Sequence, residues 1–420
     1  MRRLLYTLAL YVLVPGALWH LWRRSRKQPE YLQHVGERFG RYSFEVATPV
    51  IWIHAVSVGE TRAAEPLVKA LAERHPDHRI LLTHTTPTGR ATGEQLFGDR
   101  VSRAYLPYDL PFAVNRFLDH FRPRAGVLME TEIWFNVAHT CAVRDIPLFL
   151  VNARLSERSA RGYGRLAVLT KAALLSLRGI AAQTEADAGR LTALGAGSIE
   201  ITGNLKFDVA PGAEMEARGR ELRRLFGPSR PILLAASTRE GEEALVLDAF
   251  EQIAVAGTLL VIVPRHPQRF DEVARLFDAL GLKWQRRSTG EPVSADTRVV
   301  LGDSMGEMFA YYGACDAAFI GGSLLPLGGQ NLIEACAMGK PVLIGPHTFN
   351  FSEATDLAVE AGAALRVADP AQLAAQAARL LTDTGLRSTM STAAAAFAAT
   401  HRGATARTVQ LIETRWSRAP

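Results

Sequence analysis

Cysteine is scarce in this chain of 420 residues. The three cysteines, Cys141, Cys315 and Cys336, are odd in number and widely spaced, and none belongs to a Cys-x-x-Cys pair. This pattern argues against a disulfide framework and against a zinc knuckle. Reduced thiols in a cytosolic protein fit it best.

Two sequence signatures are also missing, one for metal binding and one for phosphate binding. The chain has no Asp-x-Asp pair, and no Gly-Lys-Ser/Thr follows its glycine turns, so it is not a P-loop enzyme. We predict no metal and no cofactor. If the chain binds a nucleotide, the remaining reaction class is metal-independent transfer from a nucleotide-activated donor.

Composition predicts a globular protein of two domains. Apolar residues make up 48% and charged residues 21% of the sequence, and the length exceeds that of one ordinary core. The net charge of +6 indicates an anionic partner, which is a nucleic acid, a phosphorylated substrate or an anionic membrane.

An uncharged apolar segment at 4–21 is flanked by basic clusters at 2–3 and 23–27, and Pro15 and Gly16 interrupt it. Because the larger cluster follows the segment, the positive-inside rule predicts a membrane anchor with the body of the protein in the cytoplasm. Spanning and interfacial arrangements stay open. The alternative is a buried first helix of a soluble domain.

Apolar strand patterns alternate with helical ones along the rest of the chain, which is typical of a doubly wound parallel sheet. The predicted strands are 50–56, 79–83, 126–129, 147–151, 179–183, 199–202, 231–236, 258–263, 298–301, 317–320, 341–344 and 363–367. The predicted helices include 60–74, 111–121 and 185–194. A break at 209–213 divides the pattern into two Rossmann-like halves.

Glycine turns follow the strand at 317–320. Gly321, Gly322 and Ser323 come directly after it, and Gly328 and Gly329 precede a predicted helix at 331–338. Glycines allow a close approach to backbone N–H groups, and a helix N-terminus favours anions. We predict a phosphate-binding corner here. The alternative is a plain strand-to-helix turn.

Three more loops at strand ends in the second half carry charged side chains. They are 236–242, the segment around Pro264 and Arg265, and 302–308, which includes Met305, Gly306 and Glu307. Open α/β sheets bind ligands at the carboxyl ends of their strands. Together these loops indicate a nucleotide site.

The first half holds the candidate reactive groups. Glu60 follows a strand and begins a helix, so it is either a helix cap or a general base kept ionised by the helix dipole. Glu130 and Glu132 follow another strand, and Lys206 lies near the domain boundary. Their alternatives are caps, ion-pair partners and a solvated lysine. The basic segment 152–163 is either a charged helix face or a grip for phosphates or anionic headgroups.

These motifs resemble those of the Kdo transferases, which move 3-deoxy-D-manno-octulosonic acid (Kdo) from CMP-Kdo to a lipid A precursor at the bacterial inner membrane. The resemblance rests on 54–60, 129–134, 152–163, 203–206, 264–267, 302–308 and 328–334. It implies a GT-B fold, with two Rossmann-like domains facing a cleft. The implied domains are an anchor at 1–27, an acceptor domain at 28–210 and a CMP-sugar domain at 211–420. Whether the last helix of the CMP-sugar domain packs back on the acceptor domain stays open.

The resemblance also implies roles for individual residues. Glu60 becomes the proton acceptor, and Glu130 and Lys206 become transition-state stabilisers. The implied CMP contacts are Pro264, Arg265, Met305, Gly306, Glu307, Asn331, Leu332, Ile333 and Glu334. The implied partners are CMP-Kdo, the lipid A precursor (lipid IVA) and anionic lipids of the inner membrane, with no nucleic acid.

Two other functions remain open at this point. A nucleotide-sugar epimerase of the same fold would need no anchor and no acceptor. A membrane-tethered nucleotide-binding module would catalyse nothing. The number of Kdo residues transferred, the acyl pattern of the acceptor and the oligomeric state do not follow from the sequence.

Overall fold

A computed structural model describes residues 2–26, 28–208 and 211–416. The chain forms two compact units. Unit 1 comprises Met1–Asp208 and Arg402–Pro420, and unit 2 comprises Val209–His401.

Unit 1 contains a parallel sheet of seven strands within the described ranges. The strands are β1 Val50–His54, β2 Arg79–His84, β3 Ser102–Tyr105, β4 Pro123–Met129, β5 Leu148–Ala153, β6 Gly179–Ala182 and β7 Ile199–Ile201. Their spatial order is β3-β2-β1-β4-β5-β6-β7. The order reverses between β1 and β4, which makes the carboxyl ends of these two strands the topological switch point.

Helices cover both faces of this sheet. They are α1 Arg2–Ser25, α2 Val58–Ala63, α3 Glu65–Arg74, α4 Pro87–Phe97, α5 Pro111–Phe121, α6 Phe135–Val143, α7 Glu157–Gly164, α8 Ala167–Ser176 and α9 Glu185–Ala193. Strand β1 shows why the sheet is buried on both sides. Trp52 belongs to one apolar cluster, whereas Ile51 and Ile53 belong to the cluster on the opposite face.

Unit 2 repeats the architecture, again with seven parallel strands in its described part. The strands are β8 Ile232–Thr238, β9 Leu259–Pro264, β10 Trp284–Arg286, β11 Val299–Leu301, β12 Ala317–Ile320, β13 Val342–Ile344 and β14 Ala364–Arg366. The order is β10-β11-β9-β8-β12-β13-β14, so the switch point lies between β8 and β12. The helices are α10 Ala213–Phe226, α11 Glu242–Glu251, α12 Phe270–Ala279, α13 Met308–Ala314, α14 Ile333–Ala337, α15 Ser352–Glu360, α16 Pro370–Thr382 and α17 Thr384–His401.

The last helix, α18 Ala404–Trp416, belongs to unit 1. Val409, Leu411 and Ile412 are buried in the cluster that also holds Ile51. The carboxylate of Asp208 accepts hydrogen bonds from the backbone N–H groups of Gly403 and Thr405, which fixes the start of the helix.

The predicted doubly wound architecture is confirmed, and the sequence prediction was wrong in three local details. The edge strands β3 and β10 were missed because they are short and incompletely buried, without a continuous apolar run. The helix predicted at 60–74 is two helices, since Pro66, in the first turn of α3, has no backbone N–H with which to continue α2. The helix predicted at 331–338 contains only Ile333–Ala337.

Candidate active site

Glu60 lies in the first turn of α2, just after β1, where its side chain takes part in the helix cap. Ser57 is the N-cap residue, and its Oγ donates to Glu60 Oε1 at 3.1 Å. The Val56 backbone N–H donates to Glu60 Oε2 at 2.9 Å. The Ser-x-x-Glu spacing of a capping box explains this geometry. Each carboxylate oxygen keeps a further lone pair that can accept a proton.

Glu60 ionises less readily than the helix dipole alone would predict. Burial raises the pKa of Glu60 to about 7, the hydrogen bond from Val56 opposes the shift, and the nearby charges of Glu130 and Glu132 raise the pKa further. The cost of desolvating a carboxylate outweighs the dipole of a helix of six residues. Glu60 therefore titrates close to neutral pH, as a general base should.

The acidic loop, Glu130 to Trp134, follows β4 at the switch point. Glu130 has φ of 55°, in the left-handed region, which turns the chain sharply away from the sheet. Glu132 accepts a hydrogen bond of 2.9 Å from Trp134 Nε1. Burial raises the pKa of Glu132, although this hydrogen bond opposes the shift. The Tyr163 hydroxyl holds the loop by donating to the Thr131 carbonyl at 2.7 Å.

Lys206 reaches the acidic loop from the last turn of the first half. Its Nζ lies 3.9 Å from Glu130 Oε1, and both side chains are 23% exposed. Asn152 Oδ1 accepts from the Leu205 backbone N–H at 3.0 Å, and Asn204 Oδ1 accepts from that of Lys206 at 3.0 Å. The fold thus gathers the three residues assigned reactive roles into one cluster, joined by Glu132.

The two ends of the basic segment 152–163 support this cluster, because Asn152 holds the turn before Lys206 and Tyr163 holds the acidic loop. Arg154, Arg158 and Arg161 are exposed. The structure is compatible with either a solvated helix face or a surface for anionic groups.

In unit 2, the turns predicted to bind a nucleotide lie at the carboxyl ends of adjacent strands. Pro264 ends β9 and is buried, and the Arg265 backbone N–H donates to the Thr238 carbonyl at 2.9 Å. Met305 is largely exposed, and Gly306 has φ of 79°.

Glu307, in the same turn as Met305, is buried and already carries ion pairs. Its Oε1 lies 3.3 Å from Arg287 Nη2 and also contacts Arg218. The carboxylate of Glu307 is therefore part of the scaffold of the turn. A ligand at this turn would meet its backbone and Met305 first.

In the predicted phosphate-binding corner, which spans 321–334, the first amides are already bound by a side chain of the protein, whereas the part at 328–334 stays a prediction. The Glu242 carboxylate already accepts from the backbone N–H groups of Gly322 at 2.5 Å, Ser323 at 3.0 Å and Leu324 at 3.1 Å. Glu242 is fully buried. An internal anion occupies the amides that the sequence assigned to a phosphate.

Glu243 braces a second turn from the same helix start. It is 1% exposed, accepts from both terminal nitrogens of Arg269, at 2.6 and 3.1 Å, and accepts from Thr238 Oγ1 at 2.8 Å. Glu242 and Glu243, here called the glutamate brace, thus hold together the turns after β8, β9 and β12. The sequence placed Glu242 in the loop 236–242 but did not reveal its bracing role, and it missed Glu243. Their partners after β9 and β12 lie 26 to 82 positions away; the acidic start of α11 was the available signal.

The second glycine pair shapes the turn before α14. Gly328 and Gly329 have φ of 93° and 72°, and a Cβ on Gly328 would lie 2.2 Å from Asn350 Nδ2, so the position requires glycine. Asn331 Oδ1 accepts from the Ile333 backbone N–H at 3.0 Å, and Asn331 Nδ2 donates to Glu334 Oε1 at 3.1 Å.

The remaining predicted contacts at this turn differ in accessibility. Leu332 and Ile333 are buried, whereas Asn331 and Glu334 are half-buried. The polar pair is the part of this turn that a ligand can reach.

Across 2–26, 28–208 and 211–416, no group of three or more His, Cys, Asp or Glu side chains could hold a metal ion. A metal-free reaction stays a prediction.

Comparison with known proteins links this geometry to one family. A family model described as 3-deoxy-D-manno-octulosonic-acid transferase (kdotransferase) matches residues 33–209. The 3-deoxy-D-manno-octulosonic acid transferase of Bordetella pertussis is 46% identical over 430 residues, covering 98% of this chain and 99% of that protein. Its counterpart in Haemophilus influenzae is 41% identical over 87% of each chain.

Solved structures identify the fold. A glycosyltransferase from Rickettsia africae aligns with a TM-score of 0.57 at 13% identity, over 89% of this chain and 100% of its own. A UDP-GlcNAc 2-epimerase from Neisseria meningitidis aligns with a TM-score of 0.56 at 15% identity, over 87% and 100%. The predicted GT-B fold is confirmed. Because transferase and epimerase share it, the fold alone does not choose between them.

Proposed function

The chain belongs to the family of 3-deoxy-D-manno-octulosonic acid transferases, and from that premise we propose that it moves Kdo from CMP-Kdo to a lipid A precursor in lipopolysaccharide synthesis. The observation that carries the proposal is the cluster of Glu60, Glu130 and Lys206 at the switch point of unit 1. The chain is 46% identical to a Kdo transferase over 98% of its length, which favours a transferase over an epimerase.

Glu60 is the proposed proton acceptor. An acceptor hydroxyl that attacks the anomeric carbon must lose its proton as the new bond forms. A carboxylate with a pKa raised to about 7 by burial binds that proton more readily than an ordinary glutamate. The two cap hydrogen bonds hold the carboxylate in one orientation while it does so.

Glu130 and Lys206 are the proposed stabilisers of the transition state. Positive charge grows on the sugar ring as the bond to CMP breaks, and a carboxylate next to the ring offsets it. The ammonium group of Lys206, 3.9 Å from Glu130 Oε1, can turn to the negative charge that grows on the leaving phosphate.

CMP is proposed to bind unit 2 at the turns after β9, β11 and β12, and the glutamate brace holds the first and last of these strand ends. The proposed contacts are Pro264 and Arg265, Met305 to Glu307, and Asn331 to Glu334. Their support is position, because the turns after β9, β11 and β12 share the carboxyl edge of one parallel sheet. The leaving group carries a single phosphate, which is consistent with a reaction that needs no metal.

Helix α1 is the proposed membrane anchor, with the enzyme on the cytoplasmic side of the inner membrane. It is long and apolar enough to cross a bilayer, and arginines flank it at both ends. An enzyme that uses a lipid acceptor needs such access.

The decisive experiment supplies purified enzyme with CMP-Kdo and lipid IVA in detergent, followed by mass spectrometry of the lipid. We expect a mass increase of the lipid by Kdo and release of CMP, unchanged by EDTA. Donor turnover without lipid would indicate an epimerase. No turnover with intact CMP binding would indicate a binding module.

A further inference from the structure

One face of α1 is covered by unit 1 from Tyr6 to Leu21. Thr7 and Leu21 are buried, and Tyr6, Leu10, Val14 and Ala17 are half-buried. These residues recur every three or four positions, which defines a single stripe on a helix. The helix therefore packs on unit 1 between Tyr6 and Leu21.

Buried hydrogen bonds fasten the first turn of this stripe. The Tyr6 hydroxyl donates to Asp109 Oδ2 at 2.9 Å, and Asn136 Nδ2 donates to Thr7 Oγ1 at 3.1 Å. Asp109 and Asn136 are at most 2% exposed, and the Tyr6 ring meets Phe135 edge-on at 5.0 Å. Pulling α1 away would leave a buried carboxylate and a buried amide short of partners.

The opposite side of α1 is apolar and exposed. We call it the anchor face, consisting of Leu4, Leu5, Leu8, Val12, Leu13, Leu18 and Trp19. Val12 is 79% exposed and Leu4 62%. Such a continuous apolar surface marks a contact with a membrane or another protein.

Neighbouring elements extend the anchor face. The Tyr11 ring stacks on Phe112 at 6.2 Å, and helix α8, which packs against α1, exposes Val168 and Leu175. The arginines at both ends of α1 are exposed as well. Positive charge beside an exposed apolar surface favours an anionic bilayer over an apolar protein partner.

We infer that α1 lies in the plane of an anionic bilayer, with the anchor face inserted into one leaflet, and does not cross it. The inference rests on the proposed membrane location. A spanning helix of this length, about 36 Å, would have to carry Tyr6 and Thr7 away from Asp109 and Asn136. An in-plane helix keeps these bonds, and its arginines at both ends meet the same anionic surface.

The arrangement also joins the membrane to the reactive cluster. Asp109 accepts from the backbone N–H groups of Asn136 and Val137, at 3.0 and 2.8 Å. These residues begin α6, directly after the acidic loop. An in-plane α1 would therefore fix the height of Glu130 above the leaflet from which a lipid acceptor rises.

Cysteine labelling of the full-length protein tests the topology. Arg2→Cys places a thiol at the exposed start of α1, and Glu291→Cys places a control thiol on the exposed surface of unit 2. The three native cysteines are buried, so background labelling should be low. The probe is a membrane-impermeant maleimide, applied to spheroplasts and to inverted inner-membrane vesicles.

We expect both engineered cysteines to react in inverted vesicles and neither in spheroplasts. Reaction of Arg2→Cys in spheroplasts only, with Glu291→Cys reacting in vesicles only, would show that α1 spans the bilayer and would overturn the inference. Recovery of both proteins in the soluble fraction at low salt would also overturn it, by removing the membrane. Neither result bears on Kdo transfer, which the detergent assay measures separately.

Discussion

Glu60→Gln separates the two roles of this residue, the helix cap and the catalytic base. Glutamine can accept from the Val56 N–H with its oxygen and donate to Ser57 Oγ with its nitrogen, so both cap contacts can persist. Glutamine has no charge to desolvate, so the free energy of unfolding should not fall near neutral pH. Glutamine cannot take a proton, so kcat should fall by about a hundredfold or more.

The pH dependence of kcat/KM gives a second signature. Burial raises the pKa of Glu60 to about 7, and the ionised form is the active one, so activity should be lost as the pH falls through 7. A base of this pKa is ionised to roughly 10% at pH 6 and roughly 90% at pH 8, so kcat/KM should rise about tenfold over that interval. A glutamate with an ordinary pKa would leave the profile flat there.

The same shift has a consequence for stability. The folded state binds the proton of Glu60 more tightly than the unfolded state does, so the free energy of unfolding should fall as the pH rises from 4.5 to about 7. Glu60→Gln should remove this contribution.

Glu132→Gln is the matched control. It removes a negative charge that raises the pKa of Glu60, so the acidic limb of the profile should move to lower pH while maximal turnover is retained. CMP release, measured from pH 5.5 to 8.5 for wild type and both variants, makes the comparison. A folded Glu60→Gln enzyme with turnover within a few fold of wild type would refute the base assignment and leave Glu60 as a cap.

Three further predictions concern the other groups. The Glu242→Gln protein should unfold at a lower temperature and bind CMP several-fold more weakly in calorimetry, because glutamine has one acceptor oxygen for three buried N–H groups. The exposed Glu240→Gln control should match wild type, and equal CMP affinity in both variants would contradict the role of the glutamate brace. Arg265→Ala should lose roughly 1.5–3 kcal/mol of CMP binding energy, and unchanged affinity would remove it from the site. Lys206→Met should lower kcat with little effect on CMP affinity, and an unaltered kcat would make Lys206 a mere partner of Glu130.

Much of the fold could be predicted because buried parallel strands are written as short apolar runs. The run at 317–320 coincides with β12, and the apolar run beginning at Val50 became β1. The edge strands β3, Ser102–Tyr105, and β10, Trp284–Arg286, escaped because each is only three or four residues long and includes polar residues. Local patterns identified the elements, and the pairing of the strands placed Glu60 and Glu130 at one edge.

The candidate site was predicted less completely, since its electrostatics depend on contacts distant in sequence. Nothing in the sequence around Gly322 reveals that its backbone N–H donates to the carboxylate of Glu242, which lies 80 positions earlier. Likewise, the helix dipole at Glu60 is visible in the sequence, whereas the burial that overrides it depends on the whole unit. The sequence could predict which residues lie at the strand ends. It could not predict the protonation of Glu60 or which backbone amides are already hydrogen-bonded.

Helix α18 is the last element to be synthesised and packs in unit 1, so it determines the order in which the nascent chain can fold. Leu411 and Ile412 complete a core that Ile51 begins, and all of unit 2 is synthesised between them. At about 5–20 residues per second, roughly 190 residues keep the ribosome occupied for about 10–40 s. Throughout that time α1 has already emerged from the ribosome, while one face of the unit 1 sheet is not yet covered by α18.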